Sequence, residues 1–347
     1  MSIISGLISG MPQMGSWRDG VANVDGDQRV RMGNSRMSGP PLVSSRTGDM
    51  SMLVKPRVGW RAAAVIAVLL AGTSGCAIWP FGLLPLAPDD DSSTPEPTLY
   101  VNLQIDAEQE DVAGLMKIAD ELKLRGISAT VFVTADYANR EALLVNSLYR
   151  DGFEIALHGY YTGEQLATMT LEEQRDLLTR AKQALEGCQP CGTYKPITGF
   201  RPQYFSQNED TYRVLDELGI TYNCGFKAGQ IFIEGHEEDT TPYPVEGYGF
   251  HAVPITTVEF DGEGLYLCDI ACALVTELTA EQWSQALELA IGQAAENADP
   301  LIVLFHGWYT GDNSQYEYWQ PFVDFLDALE DRATFLTTQE LVDFQEE

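Results

Sequence analysis

From residue 99 onward, short apolar runs alternate with stretches in which apolar residues recur at helical spacing. The runs at 99–105, 129–134, 153–157, 198–200, 220–224, 251–257, 301–305 and 334–336 predict strands. Between them the pattern predicts helices over 107–125, 140–151, 171–187, 209–218, 280–297 and 316–330. In the first of these, Val112, Leu115, Met116, Ala119 and Leu122 share one face, and Gly126 supplies the stop. Thr170 ahead of Leu171-Glu172-Glu173 predicts a capping box, and Thr279 ahead of Glu281-Gln282 a similar start. Strand–helix alternation sustained over about 250 residues argues for an α/β domain with a mainly parallel sheet, open or closed into a barrel. The stretch 225–263, rich in Gly, Pro and acidic residues, reads as a long irregular insertion with room for substrate loops.

The first 98 residues follow a different pattern. Residues 1–49 show no sustained period and read as disordered, or as an extension upstream of a true start at Met50 or Met52. Lys55-Pro56-Arg57 and Arg61 then precede an apolar core at 62–72, a signal-peptide pattern too short for a comfortable membrane span. The run ends Thr73-Ser74-Gly75-Cys76, small residues before a Cys that resemble a lipobox and would make Cys76 lipidated. Residues 50–76 therefore predict export to the outer face of the cell membrane, lipid-anchored or secreted. Any membrane contact is expected only through this lipid or leader. Residues 77–98, with their Pro, Asp and Ser, read as a surface linker, leaving one folded domain at 99–347.

Charge sharpens this division. The chain carries a formal −30, of which residues 1–75 contribute +4 and residues 76–347 contribute −34. So acidic a domain excludes nucleic acid as a partner, because a phosphate backbone would be repelled. With only 6 Lys in 347 residues, the surface suits a salty or extracellular setting.

In parallel α/β folds chemistry sits just beyond the carboxyl ends of the strands. Asp106, His158, Arg201 and His306 each follow a predicted strand there. At these residues the chain resembles the polysaccharide deacetylase family, the NodB-homology domain of carbohydrate esterase family 4. Leu103-Gln104-Ile105-Asp106 sits where that family has a strand ending in Thr-Phe-Asp-Asp. Residues Gly152 to Tyr160 resemble its Gly-His-Glu-Ile-x-x-His segment. Gly199-Phe200-Arg201-Pro202-Gln203-Tyr204 is similar to its Arg-x-Pro-Tyr-like motif, and Leu304-Phe305-His306 to its closing Leu-x-His. The resemblance spans about residues 99–343. It implies a single-domain distorted (β/α) barrel and a hydrolase that removes an acetyl or related acyl group from an amide nitrogen of a glycan. The wider family also acts on other carbon–nitrogen bonds.

By that resemblance Asp106 is the general base, Arg201 the partner that holds it ionised, and His306 the general acid. Tyr204 offers a backbone N–H to the oxyanion. The family's ion, zinc or another divalent metal, polarises the carbonyl and its water. Here the pattern departs from the family. Ala107 stands at the second Asp position and Thr162 at the second His position. His158 remains, with Glu108 as a substitute carboxylate, whereas an open catalytic zinc site normally has three protein ligands. His236 and His251 are further candidates for the missing ligand. The alternative is a catalytically impaired relative that binds glycans at the cell surface. Cys188, Cys191, Cys268 and Cys272 read as disulfide partners in an exported protein, with Cys224 left over. Tyr160, Tyr161, Tyr204, Phe205, Trp308 and Tyr309 follow the site residues and suit sugar rings. The domain's acidity favours a neutral N-acetylated glycan over an anionic polymer.

Overall fold

A computed structural model describes residues 99–108, 112–188, 195–312 and 315–346. The expectations for the extension, leader and linker lie outside these residues. Among the described residues no helix is long and apolar enough to cross a membrane.

The strands are β1 (Leu99–Ala107), β2 (Thr130–Val133), β3 (Glu154–Leu157), β4 (Gly199–Phe200), β5 (Tyr222–Lys227), β6 (Tyr243–Pro244), β7 (His251–Ile255), β8 (Thr257–Phe260), β9 (Glu263–Tyr266), β10 (Leu301–His306) and β11 (Ala333–Phe335). The helices are α1 (Val112–Arg125), α2 (Ala135–Arg140), α3 (Ala142–Arg150), α4 (Leu171–Gly187), α5 (Glu209–Glu217), α6 (Asp269–Leu274), α7 (Ala280–Asn297), α8 (Trp319–Leu329) and α9 (Thr338–Glu346). The main sheet runs β10-β1-β2-β3-β4-β5-β7-β6, with β11 paired to the start of β1. All these pairings are parallel except that of β6 with β7. The sheet curls until its edges meet. Thr256 N–H reaches Ile302 O at 3.1 Å, and Leu304 N–H reaches Leu267 O at 2.9 Å. The result is the distorted (β/α) barrel that the alternation and the resemblance imply.

The period of two along β1 explains the two cores. Val101, Leu103, Ile105 and Ala107 face the helices and join the large outer core. Asn102, Gln104 and Asp106 face the interior and are buried as polar residues. Phe132, Ala156, Tyr222, Cys224, Val253 and Ile302 complete that interior, and Leu341 and Val342 of α9 pack against them. Thr170 and Thr279 cap α4 and α7 as their patterns predict, each in a reciprocal capping box.

Three expectations change. The stretch 225–263 is sheet in part, because β5 runs on to Lys227, β6 and β7 pair, and β8 and β9 form a hairpin, while 228–242 and 245–250 stay irregular as expected. The hairpin turns at Asp261-Gly262, both at positive φ, as a tight two-residue turn requires. Cys188, Cys224, Cys268 and Cys272 are free thiols. Cys268 and Cys272 straddle the first turn of α6, are buried in the outer core, and serve as packing residues rather than a staple. Cys191 lies outside the described residues. Finally, the predicted first helix starts at Val112, since β1 continues through Ala107.

Candidate active site

The parallel register places the site. Asp106 and His306 are direct partners across β1 and β10. His158 and Arg201 each follow the paired residues Leu157 and Phe200 of β3 and β4. All four side chains are buried. They converge: Asp106 Oδ1 lies 2.9 Å from Arg201 Nε, while Oδ2 lies 3.5 Å from His158 Nε2 and 3.6 Å from His306 Nε2.

Each partner of Asp106 is itself held. The Arg201 guanidinium donates to Gln104 Oε1 and to Cys224 O (3.2 Å), and stacks 4.5 Å over the Phe132 ring. His158 Nδ1 is 2.9 Å from Arg201 O. A carbonyl only accepts, so Nδ1 carries the proton and Nε2 faces Asp106. His306 Nδ1 meets Asp269 Oδ1 at 2.6 Å. Burial opposes charge on His306, but Asp269, aided by Asp106 and Glu108, more than offsets it and pushes the imidazole up to about 9. At neutral pH His306 is therefore a cation with a proton on Nε2.

Asp269 was not legible as a site residue. It opens α6 within the Cys-x-x-x-Cys stretch and lies 37 positions before His306. A carboxylate set in the apolar run from Leu265 to Val275 was the one available signal. Gln203, also missed, sits buried beside the site and bonds to the loop after β3.

Tyr204 and Phe205 both take left-handed backbone angles, at φ 55 and 57. Consecutive non-glycine residues there are strained, which is the pattern of a functional turn. Among the described residues no acceptor meets the Tyr204 N–H. Directly after His306, residues 307–312 form a π-helical turn, another irregularity common at functional sites. Its Gly307 and Gly311 press backbone-to-backbone on Gly114 of α1, where a Cβ would overlap the opposing carbonyls.

The donor set decides whether a metal fits. Glu108 Oε2 is buried without a hydrogen-bond partner, which by itself would suit a cation. Among the described residues, however, Glu108, His158 and Asp106 do not bring three ligand atoms within 4.8 Å of one another. Among the described residues the group whose ligand atoms converge within 4.8 Å is Cys268, Asp269 and His306. There Asp269 already accepts four bonds, from His306 Nδ1, His306 N (2.8 Å), Ile270 N (2.7 Å) and Thr310 Oγ1 (2.7 Å). Burial also raises the Cys268 thiol well above its usual range, against the thiolate a metal needs. Neither set fits a catalytic ion. His236 is taken up by Asp239 (2.5 Å) and by stacking on Tyr243, and His251 opens β7 at the opposite, amino end of the strands.

A curled parallel sheet with a carboxylate, an arginine and two histidines at its carboxyl end defines a barrel with a hydrolytic type of site. The polysaccharide deacetylase family model matches residues 94–223. Among curated proteins none matches the sequence. A Mycobacterium smegmatis structure described as a polysaccharide deacetylase shares 18% identity and a TM-score of 0.57, over 76% of this chain and 94% of that one. One from Pseudomonas aeruginosa PAO1, described likewise, shares 16% and 0.57, over 72% and 91%. The allantoinase PuuE shares 15% and 0.58, over 71% and 90%. At these identities the structures attest the fold. The family is metal-dependent as a rule, which sets the donor arrangement here apart.

Proposed function

We propose that this chain is an exported hydrolase that removes an acetyl or related acyl group from an amide nitrogen of a glycan. The observation that carries the proposal is Asp106 held by Arg201 at 2.9 Å, opposite a His306 kept protonated by Asp269.

Asp106 Oδ2 takes a proton from a water as the water oxygen adds to the amide carbonyl carbon. The carbonyl electrons move onto oxygen, which accepts a hydrogen bond from the Tyr204 N–H. His306 Nε2 then gives its proton to the amide nitrogen as the C–N bond breaks. The products are a free amine and a carboxylic acid, whose proton is lost to solvent. No step is routed through a metal, because the donor set does not fit one.

Tyr161, Tyr204 and Trp308 are exposed on the loops that follow His158, Arg201 and His306, as sugar-stacking faces would be. The net −34 over residues 76–347 favours a neutral glycan, and the leader-like segment at 50–76 supports export. The test is acetate release from chitin oligosaccharides by the full chain. Release absent in His306→Ala supports the proposal; no release above that control, across neutral and acidic N-acetylated glycans, sinks it.

The second reading is a glycan-binding surface protein with impaired catalysis, favoured by Ala107 and Thr162. It predicts that the same oligosaccharides bind without turnover, which calorimetry beside the acetate assay would separate.

A further inference from the structure

We infer that the mouth of this barrel is braced by side chains in place of a shared metal ion, and that the chain holds no catalytic zinc. The inference concerns the site of the deacetylase reading but does not depend on its activity.

For His158 and Arg201 to meet on Asp106, the loops after β3 and β4 must be fixed against each other. Gln203 does this. Its Nε2 donates to His158 O (2.9 Å) and Tyr161 O (2.7 Å), and its Oε1 accepts from Gly163 N (2.6 Å). Three bonds from one buried amide use most of its capacity. The His158 Nδ1 bond to Arg201 O ties the same two loops a second time. Inside the β3 loop, Glu164 accepts from Tyr160 N (2.9 Å) and Tyr161 N (2.8 Å). That closes the loop on itself, with Gly159 at φ 89, where a side chain would collide with Glu164.

These braces leave the metal-ligand positions unable to converge. Thr162, four residues beyond His158, is exposed on the closed loop. Ala107 is fully buried in the apolar outer core, where a carboxylate would be costly. Asp106 Oδ1 is engaged by Arg201. Asp106 Oδ2 faces His158 Nε2 at 3.5 Å, but among the described residues no third ligand atom joins this pair within 4.8 Å, which leaves it short of an open zinc site. An ion shared between two loops would tie them together; here Gln203 and the His158 Nδ1 bond to Arg201 O do so.

The experiment equilibrates the full chain with zinc, dialyses it against metal-free buffer, and measures bound zinc and Tm with and without EDTA. The expected result is fewer than about one zinc per ten chains, with Tm moving by no more than about 1 °C. About one zinc per chain, lost in His158→Ala, would overturn the inference. Gln203→Ala is expected to lower Tm by about 5 °C, a fall that zinc does not recover. An unchanged Tm overturns the bracing role. Should Gln203→Ala not fold, Gln203→Glu keeps the acceptor for Gly163 and loses both donated bonds; its Tm must still fall. Zinc-free protein that releases no acetate would sink the deacetylase reading and leave this inference standing; stoichiometric zinc with release would do the reverse.

Discussion

At the amino end of the barrel stands a half-buried carboxylate, Glu154; at the carboxyl end stands a buried one, Asp106. Glu154 is enclosed by neutral donors: Tyr222 Oη at 2.7 Å, Thr130 Oγ1 at 2.8 Å and the Gln339 N–H at 3.1 Å. The last comes from the first turn of α9, the helix whose Leu341 and Val342 pack into the interior. Burial raises the Glu154 carboxyl above its ordinary range, against the pull of these bonds. Asp106 is surrounded instead by ionisable groups, and its Oδ2 lies 3.5 and 3.6 Å from two imidazole nitrogens, long for a hydrogen bond. One sheet thus makes a structural acid and a reactive one. The difference lies in the neighbours. Neutral donors at short range satisfy a carboxylate, while ionisable ones at longer range leave it an oxygen to act with.

The sharpest test of that contrast is a pair of substitutions. Asp106→Asn is expected to cut acetate release about 10³-fold per folded molecule. Glu154→Ala is expected to cost about 3 kcal/mol in urea unfolding, because it strands Tyr222, Thr130 and the start of α9. Its rate per folded molecule should stay within about twofold of the parent. Exchanged outcomes would break the comparison.

Next in size is a pH effect at Asp269. His306 is raised in the folded state, so its pairing with Asp269 contributes stability that is full below about pH 6.5 and lost as pH rises through about 9. The rate should fall over the same alkaline limb. Asp269→Asn should move that limb down by about two units and flatten the pH dependence of the urea midpoint. A limb that stays near 9 would remove Asp269 from the proposed acid. The smallest expected effect concerns the thiols. Among the described residues neither end of the barrel is stapled, so dithiothreitol should leave Tm within about 1 °C.

How much of this was legible in the chain follows from the range of each interaction. Strand ends are local, so Asp106, His158, Arg201 and His306 were found from apolar runs and the residues that stop them. The caps at Thr170 and Thr279 are local too, and so was their prediction. Asp269 was hidden because its strand-like neighbours, Leu267 and Cys268, make only a short contact with Leu304 and leave no run to read. Gln104 and Gln203 were hidden because an amide means nothing until its partners, up to 234 positions away, are brought beside it. The helices α2 and α6 span six residues each, too few for a period to emerge. In 225–263, Gly and acidic residues concealed β6 and most of the hairpin, whose order comes from pairing rather than from apolar content.

The contact of Gly114 with Gly307 and Gly311 sets a dimension of the site. Asp106 stands on the strand that precedes α1, and His306 opens the turn that α1 touches. The contact is backbone on backbone with the Asp312 Cβ beside it, so side-chain rotation absorbs little of a shift of one against the other. The gap between the proposed base and acid is therefore a length of main chain, as in a gauge block, and does not average over side-chain fluctuations. Warming the protein should loosen the aromatic rim long before it alters that gap, which holds until α1 itself comes away.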